Sequence, residues 1–332
     1  MKPIRVGLVA DPASPTKIAR AMGDLGPLDD DDRHGWDIEV VSEPFTLGYE
    51  DVETALSRLR VRAQQREWDL VIGVTELPLR DDNGRYLLAA IDPQRRTAVL
   101  SLPALGGLRV NARARHAVRG LVSGMAEPTS PDEQRVSLPG LSGRGRVLFG
   151  MVLANRPWLL VPGLKSALVA ALATGAVATI NSTVWLLASS LSWWRLAVAT
   201  VVSVGIVVAW IVIDGRLWDR PDDNSIEAKE RSRLYNTSTL ATLTIGVLIC
   251  YLALYVVNLA WALFVLDTDV MGGYLNTSVG SGDLFVLTWF VASAATLGGA
   301  LGTGLESDEA IRAAAYSKRE EERRARLANQ RT

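Results

Sequence analysis

The sequence has very few of the residues that build disulfides and metal sites. It contains one cysteine, Cys250, and two histidines, His34 and His116, among 332 residues. One cysteine excludes an internal disulfide and a paired-cysteine metal knuckle, and two distant histidines supply neither an HExxH motif nor a three-histidine zinc site. No GxGxxG or P-loop pattern is present either. We therefore expect neither a metal ion nor a cofactor.

A strong excess of charge is also missing. The net charge is −1, so the chain has no general attraction to nucleic acid, and we expect no nucleic-acid partner.

Charge is absent from four long apolar stretches in the second half of the chain, namely 166–188, 196–213, 240–266 and 284–305. Each is close to or above the roughly 18 to 20 residues that a helix needs to cross a bilayer. The pattern predicts four transmembrane helices within 166–305, and the bilayer as a partner. Since pumps and ion-coupled carriers normally place ionisable groups at membrane depth, their absence disfavours such a transporter.

Basic residues are distributed unevenly between the predicted loops. Segments 189–195 and 267–283 together contain only Arg195, whereas the segments on the other side, 144–165, 214–239 and 306–332, contain sixteen. The positive-inside rule then predicts a multi-pass protein of the cell membrane with both termini in the cytoplasm.

Residues 1–125 alternate between short apolar runs and helical periods. Runs such as Ile4–Ala10 and Leu70–Val74 are typical of buried strands, whereas the apolar spacing from Glu50 onward is helical. Strands that alternate with helices predict a cytoplasmic three-layer α/β domain, with a mainly parallel sheet and an antiparallel edge. We expect residues 126–165 to be a linker with a segment in the membrane interface, and 306–332 to be a charged helical tail.

The ends of two predicted strands suggest a binding pocket. Parallel sheets place ligands at the carboxyl ends of their strands. Asp11 and Ser14 follow the first strand, and Thr75 with Glu76 closes the third. Ser14 is also the expected N-cap of the next helix, and simple capping is the main alternative to ligand binding.

Charged clusters give two further candidate sites. A basic face on the helix from Val110 to Met125 consists of Arg113, Arg115, His116 and Arg119, and it would suit an anionic lipid, a small anionic ligand or the domain's own carboxylates. An acidic cluster follows the last predicted span and consists of Glu306, Asp308 and Glu309. One hypothesis is that this cluster binds the basic face.

Two amides lie within the predicted spans. Asn181 and Asn258 are expected to bond between helices and so to hold the bundle in register, with a role in permeation as the alternative. Small residues recur four apart, as in Ala167, Ala171 and Gly175, which permits close helix packing within one chain or in a homo-oligomer.

Several segments resemble those of known proteins. Ala154–Trp158, Tyr235–Asn236 and the run Gly304–Ala310 with Ala315–Tyr316 resemble a group of uncharacterised actinobacterial four-span membrane proteins. Some members carry the label 5,10-methylenetetrahydrofolate dehydrogenase, although no nucleotide fingerprint accompanies it in this chain.

The soluble domain has a second resemblance. Gly73–Glu76, Ala98–Leu102 and the helix after them are similar to archaemetzincin-type proteases. In that family the helix carries HExxH, but here it contains only His116. The resemblance thus implies a domain without the metal and without the general base.

These observations lead to a functional prediction with two alternatives. The preferred one is a non-enzymatic sensor, scaffold or assembly factor whose cytoplasmic domain meets a protein or a small anionic ligand at the inner leaflet. The first alternative is an enzyme acting on a membrane-associated or folate-like substrate, with its site at Asp11, Ser14, Thr75 and Glu76. The second is a small-solute channel or transporter through the helices.

Overall fold

A computed structural model describes residues 4–22, 36–46, 52–81, 83–126, 133–221 and 224–302. These residues form two compact units, and the chain passes from the first to the second between Ala154 and Asn155. The predicted tail at 306–332, with the acidic cluster Glu306, Asp308 and Glu309, lies outside the described residues.

The first unit is built on a mixed seven-stranded sheet with the order β2-β1-β3-β6-β5-β4, and β7 pairs with β5. Its elements are β1 (Ile4–Ala10), α1 (Ser14–Arg20), β2 (Trp36–Ser42), α2 (Val52–Arg66), β3 (Leu70–Thr75), β4 (Leu79–Arg80), β5 (Tyr86–Asp92), β6 (Thr97–Ser101), α3 (Val110–Ala126), β7 (Gln134–Ser137) and α4 (Gly140–Ala154). Strands β2, β1, β3 and β6 are parallel, whereas β4, β5 and β7 pair antiparallel. The predicted α/β sheet with an antiparallel edge is confirmed.

Helices cover both faces of this sheet. All six residues of β3 are buried, as expected of a central parallel strand with no wet face. One apolar cluster joins Ala19 of α1 and Val118 of α3 to one face, and a second cluster joins Leu59 of α2 to the other. The side chains alternate between the two clusters along each strand because the period of a strand is two residues.

The predicted linker at 126–165 needs correction. Part of it forms β7, which extends the sheet beside β5, and α4 then packs against a 3-10 turn at Pro103–Leu105. The contact is close at Gly150, where an added Cβ would lie 2.3 Å from the Pro103 carbonyl oxygen. Much of the apolar run predicted for the membrane interface, including Val147 and Val152, is therefore buried in the first unit.

The second unit is helical. Its elements are a 3-10 turn at Pro157–Leu159, then α5 (Leu160–Gly163), α6 (Lys165–Thr179), α7 (Ser182–Ser190), α8 (Trp193–Asp214), α9 (Ile226–Val265), α10 (Thr268–Leu275) and α11 (Ser281–Gly302). Among the described residues, three helices, α8, α9 and α11, contain stretches long and apolar enough to cross a membrane. Within these residues, a fourth candidate exists only if bent helical segments between residues 140 and 179 count as one span.

The first predicted span, 166–188, is not one continuous helix. It breaks between α6 and α7, and α6 alone, with 15 residues, extends only about 22 Å. Two side chains bond to backbone groups at the break: the Trp185 indole N–H donates to the Thr179 carbonyl at 2.7 Å, and the Asn181 side chain accepts from the Thr183 N–H at 2.9 Å. Backbone groups freed at a helix break in an apolar environment need such partners.

Candidate functional site

Asp11 lies at the carboxyl end of β1, the second strand in the order of the sheet. Strand β1 is flanked by β2 on one side and β3 on the other, and the helices that follow β1 and β2 cover opposite faces. The order of the strands therefore reverses at β1, which is where open α/β sheets place ligands. The structure thus puts the predicted pocket residues Asp11 and Thr75 at the expected edge.

The Asp11 carboxylate is buried and accepts several hydrogen bonds. Its Oδ2 atom accepts the Thr75 hydroxyl at 2.6 Å and the Thr46 hydroxyl at 2.8 Å, and its Oδ1 atom accepts the Phe45 N–H at a longer 3.4 Å. The residue is only 1 % exposed. Since Asp11 and Thr46 follow β1 and β2 and Thr75 is the last residue of β3, this cluster cross-links the carboxyl ends of three neighbouring strands.

This bonding limits what Asp11 can do chemically. A general base must accept a proton from a substrate within hydrogen-bond reach. The Oδ2 atom is already the acceptor for two protein hydroxyls, and the surrounding chain covers it. The arrangement favours a structural cross-link over an open catalytic carboxylate.

The other two predicted pocket residues have different positions. Ser14 was expected to be the N-cap of α1, but it is the first residue of that helix, and the N-cap is Ala13, which makes no side-chain cap. Ala13 takes a positive φ of 70°, so the chain turns one residue earlier than the serine signal suggests. Glu76 follows Thr75 and is partly buried.

Thr46 was missed in the sequence. It stands four residues beyond the end of β2, after Pro44 and Phe45, and the loop brings it back over the sheet edge. The rule that selected Asp11 and Thr75 concerns residues at the end of a strand, so it does not reach a threonine four residues beyond β2.

The predicted basic face lies on the outer side of α3. His116 and Arg115 are exposed and Arg119 is partly buried. Arg113 donates from Nη1 to the Leu105 carbonyl at 2.8 Å, and Arg115 donates from Nη2 to the Ala21 carbonyl at 3.0 Å. Two of the four residues thus bind carbonyl groups at the ends of the 3-10 turn and of α1.

A wider basic surface emerges where α4 meets this region. Arg146 of α4 donates to the same Leu105 carbonyl at 3.2 Å, which brings its guanidinium close to that of Arg113. Leu108 and Arg109 follow in the same loop, and Leu141 and Arg144 lie on the first turns of α4. We define the docking surface as the set Leu108, Arg109, Arg113, Leu141, Arg144 and Arg146.

The two predicted bundle amides differ in role. Asn181 does not bond between helices: it caps α7, because an amide next to a helix break can accept the free N–H groups of the next helix. Asn258 is buried and donates to Leu254 within α9, and it lies against Gly175 of α6. Asn258 therefore lies against a neighbouring helix, but the hydrogen bond of its side chain stays within α9.

Hydroxyl groups, and not the two predicted amides, form the polar contact that joins α8, α9 and α11. Thr200 of α8, Tyr251 of α9 and Ser293 of α11 have their hydroxyls within 3.0–3.3 Å of one another. The Trp289 indole N–H also donates to Thr200 at 2.8 Å. Hydroxyl residues in apolar spans are common, so only their coincidence in space identifies this cluster.

Within the described residues, no group of three or more His, Cys, Asp or Glu side chains comes together in a way that could hold a metal ion. Comparison with protein-family models, curated proteins and solved structures gives no match. The resemblances to the actinobacterial membrane proteins and to the archaemetzincin-type proteases therefore stay predictions.

Proposed function

We propose that this protein is a multi-pass protein of the cell membrane whose α/β unit is a non-enzymatic, cytoplasmic docking module for an acidic protein partner. The apolar lengths of α8, α9 and α11 support three crossings of the membrane, and the broken apolar segment formed by α6 and α7 would make the fourth. The distribution of basic residues supports an orientation with both termini in the cytoplasm.

The single observation that carries the docking role is the composition of the docking surface. Leu108 is 65 % exposed and Leu141 is 85 % exposed, and each has an exposed arginine close to it in the chain, Arg109 directly after Leu108 and Arg144 three positions after Leu141. Exposed apolar side chains within a charged rim are typical of protein-binding surfaces, in which arginine is enriched. Among the described residues, no ion pair joins Arg109, Arg113 or Arg146 to a carboxylate, so these cations are available for an acidic partner.

The state of Asp11 supports a non-enzymatic role over the enzyme alternative. A carboxylate that accepts two buried hydroxyls at the switch point stabilises the sheet edge. The hydrogen-bonded cluster around Tyr251 likewise supports a structural role for the long helices over a channel, because its polar groups bond with one another.

The test uses the full chain in native membranes. Arg109→Glu and Leu141→Ser change the docking surface without removing the bonds to the Leu105 carbonyl, and Arg60→Glu, on the exposed side of α2, is the matched charge control. Proteins crosslinked to each variant are identified by quantitative mass spectrometry, and the strongest candidate is purified for binding measurements.

We expect one acidic partner whose crosslinking falls at least tenfold with Arg109→Glu, falls with Leu141→Ser, persists with Arg60→Glu and weakens as salt is added. Equal crosslinking by all variants would contradict the proposal. Turnover of a small molecule that disappears with Thr75→Val in a folded protein would favour the enzyme alternative.

A further inference from the structure

A cavity of about 820 Å³ lies beside the end of α8 in the second unit. Its wall is apolar along α8 and α9, and its rim is basic and aromatic. The residues used below are Gly205, Val208 and Leu240 on the wall and Arg216, Trp218 and Arg220 on the rim. The volume falls within the roughly 300–1,000 Å³ that is typical of small-molecule sites.

The segment after α8 is held in one conformation by its backbone. The Leu217 N–H donates to the Val212 carbonyl and the Arg216 N–H to the Ile213 carbonyl, which is the Schellman pattern of a helix C-terminus. Arg216 occupies the left-handed position of this motif, with φ 49°, where glycine is usual. The arginine therefore occupies a backbone position that favours glycine.

Asn236 of α9 fixes the rim from the other side. Its Oδ1 accepts the Asp219 N–H at 2.8 Å, and its Nδ2 donates to the Asp219 carbonyl at 2.9 Å. This two-way bond ties the backbone between Trp218 and Arg220 to α9. Asn236 is therefore a positioning residue for the rim.

Among the residues that the structure describes, the two acids of this segment form no ion pair with the arginines of the rim. The acids are Asp214 and Asp219, and the arginines are Arg216 and Arg220. Both arginine side chains are exposed. Two cations thus stand at one end of an apolar groove.

We propose that this groove binds an anionic phospholipid from the bilayer, with an acyl chain along Gly205 and Val208 and the phosphate between Arg216 and Arg220. Arginine recognises phosphate through its planar set of donors, and basic pockets between membrane helices bind anionic head groups. A lipid would contact both the apolar wall and the basic rim, whereas a free anion would contact only the rim. The groove therefore fits a lipid better.

The full-length protein offers variants that separate the two halves of the groove. Arg216→Gly with Arg220→Gln removes both cations, and glycine suits the left-handed position of Arg216. Gly205→Phe fills the apolar wall, since an added Cβ there meets no atom within 4 Å. Lys229→Gln with Arg233→Gln, exposed on α9 outside the lining of the cavity, removes the same charge as a control.

Each protein is reconstituted into vesicles of equal parts phosphatidylcholine and phosphatidylglycerol, and the lipids it retains are measured by native mass spectrometry. At about a fivefold effect for each arginine near a phosphate, the double rim variant should bind phosphatidylglycerol roughly 25-fold more weakly. Gly205→Phe should also lose the lipid, and the α9 control should retain it.

Three results would overturn the proposal: equal retention of phosphatidylglycerol by the rim variant and the control, equal retention of phosphatidylcholine and phosphatidylglycerol by the wild type, or competition by inorganic phosphate with no effect of Gly205→Phe. The last result would assign the rim to a free anion. All of these measurements concern the second unit alone, so their failure leaves the docking proposal standing.

Discussion

Replacement of Asp11 by alanine tests whether this carboxylate is structural. The change removes the acceptor of two buried hydroxyls, those of Thr46 and Thr75. A hydrogen bond to a charged group contributes roughly 1.5–3 kcal/mol to stability. The variant loses two such bonds, but it also no longer pays the desolvation cost of a buried carboxylate, which offsets part of that loss. We expect Asp11→Ala to destabilise the first unit by about 3 kcal/mol, and Asp11→Asn, which keeps one acceptor oxygen, by about half as much.

Hydrogen exchange of the full-length protein in detergent measures this change locally. A loss of about 3 kcal/mol should raise the opening equilibrium of β1 and β3 on the order of 100-fold, whereas the exposed Asp37→Ala on β2 should leave it nearly unchanged. Unaltered or slower exchange in Asp11→Ala would refute the reasoning. Slower exchange would indicate a carboxylate kept for function at the expense of stability.

Three further predictions concern other contacts. The pKa of Glu39 is lowered, chiefly by a hydrogen bond from an indole N–H, so its contribution to stability is present above the ordinary glutamate pKa of 4.5 and is lost as the pH falls through the lower folded pKa. Glu39→Gln should therefore weaken the acid dependence of unfolding measured by fluorescence. Tyr251→Phe should cost roughly 0.6–1.7 kcal/mol in thermal unfolding in detergent. Gly175→Leu should cost about 1–3 kcal/mol, because its Cβ would lie 2.3 Å from the Asn258 Oδ1 atom.

Each of these three has a control and an outcome that counts against it. Asp37→Asn is the control for Glu39→Gln, and identical pH profiles for the wild type and Glu39→Gln would rule out the linkage. Tyr255→Phe on the same helix should change the stability very little. A loss of stability equal to that of Tyr251→Phe would contradict a stabilising role of the hydroxyl cluster. Gly205→Leu, at a position where an added Cβ meets no atom, should lower the stability less than Gly175→Leu does. Equal losses of stability would mean that the contact with the Asn258 amide is unimportant.

Much of the first unit could be predicted because its signals are local. Ile4–Ala10 matches β1 to the residue, and the third strand differs only at its end. Strands β4 and β7 were missed because two and four residues are too few to show a period, and β7 has only the partly exposed Val136 among polar neighbours. Such edge strands depend on a partner that a local pattern does not reveal.

The candidate site was only partly predictable for a similar reason. Asp11 and Thr75 were found because a general rule concerns the ends of parallel strands. Thr46 was missed because a loop, and not a strand, carries it to the same place. Asn181 was assigned to the wrong role because the sequence does not distinguish an amide that caps a broken helix from one that joins two helices.

Arg146 illustrates a further limit of the sequence. In the chain it stands within a glycine- and serine-rich stretch that is typical of a linker, yet it shares the Leu105 carbonyl with Arg113, 33 positions earlier. Only the tertiary contact between α4 and the 3-10 turn makes the docking surface visible.

The most direct test of the account is the membrane side of two engineered cysteines. With Cys250 replaced by serine, cysteines at Lys17 and Asn276 are labelled in intact cells with a membrane-impermeant maleimide. The account predicts that position 276 is labelled and that position 17 is labelled only after lysis, because α6 with α7, α8 and α9 would cross the bilayer three times between them. Labelling of both positions in intact cells, or of neither, would contradict it.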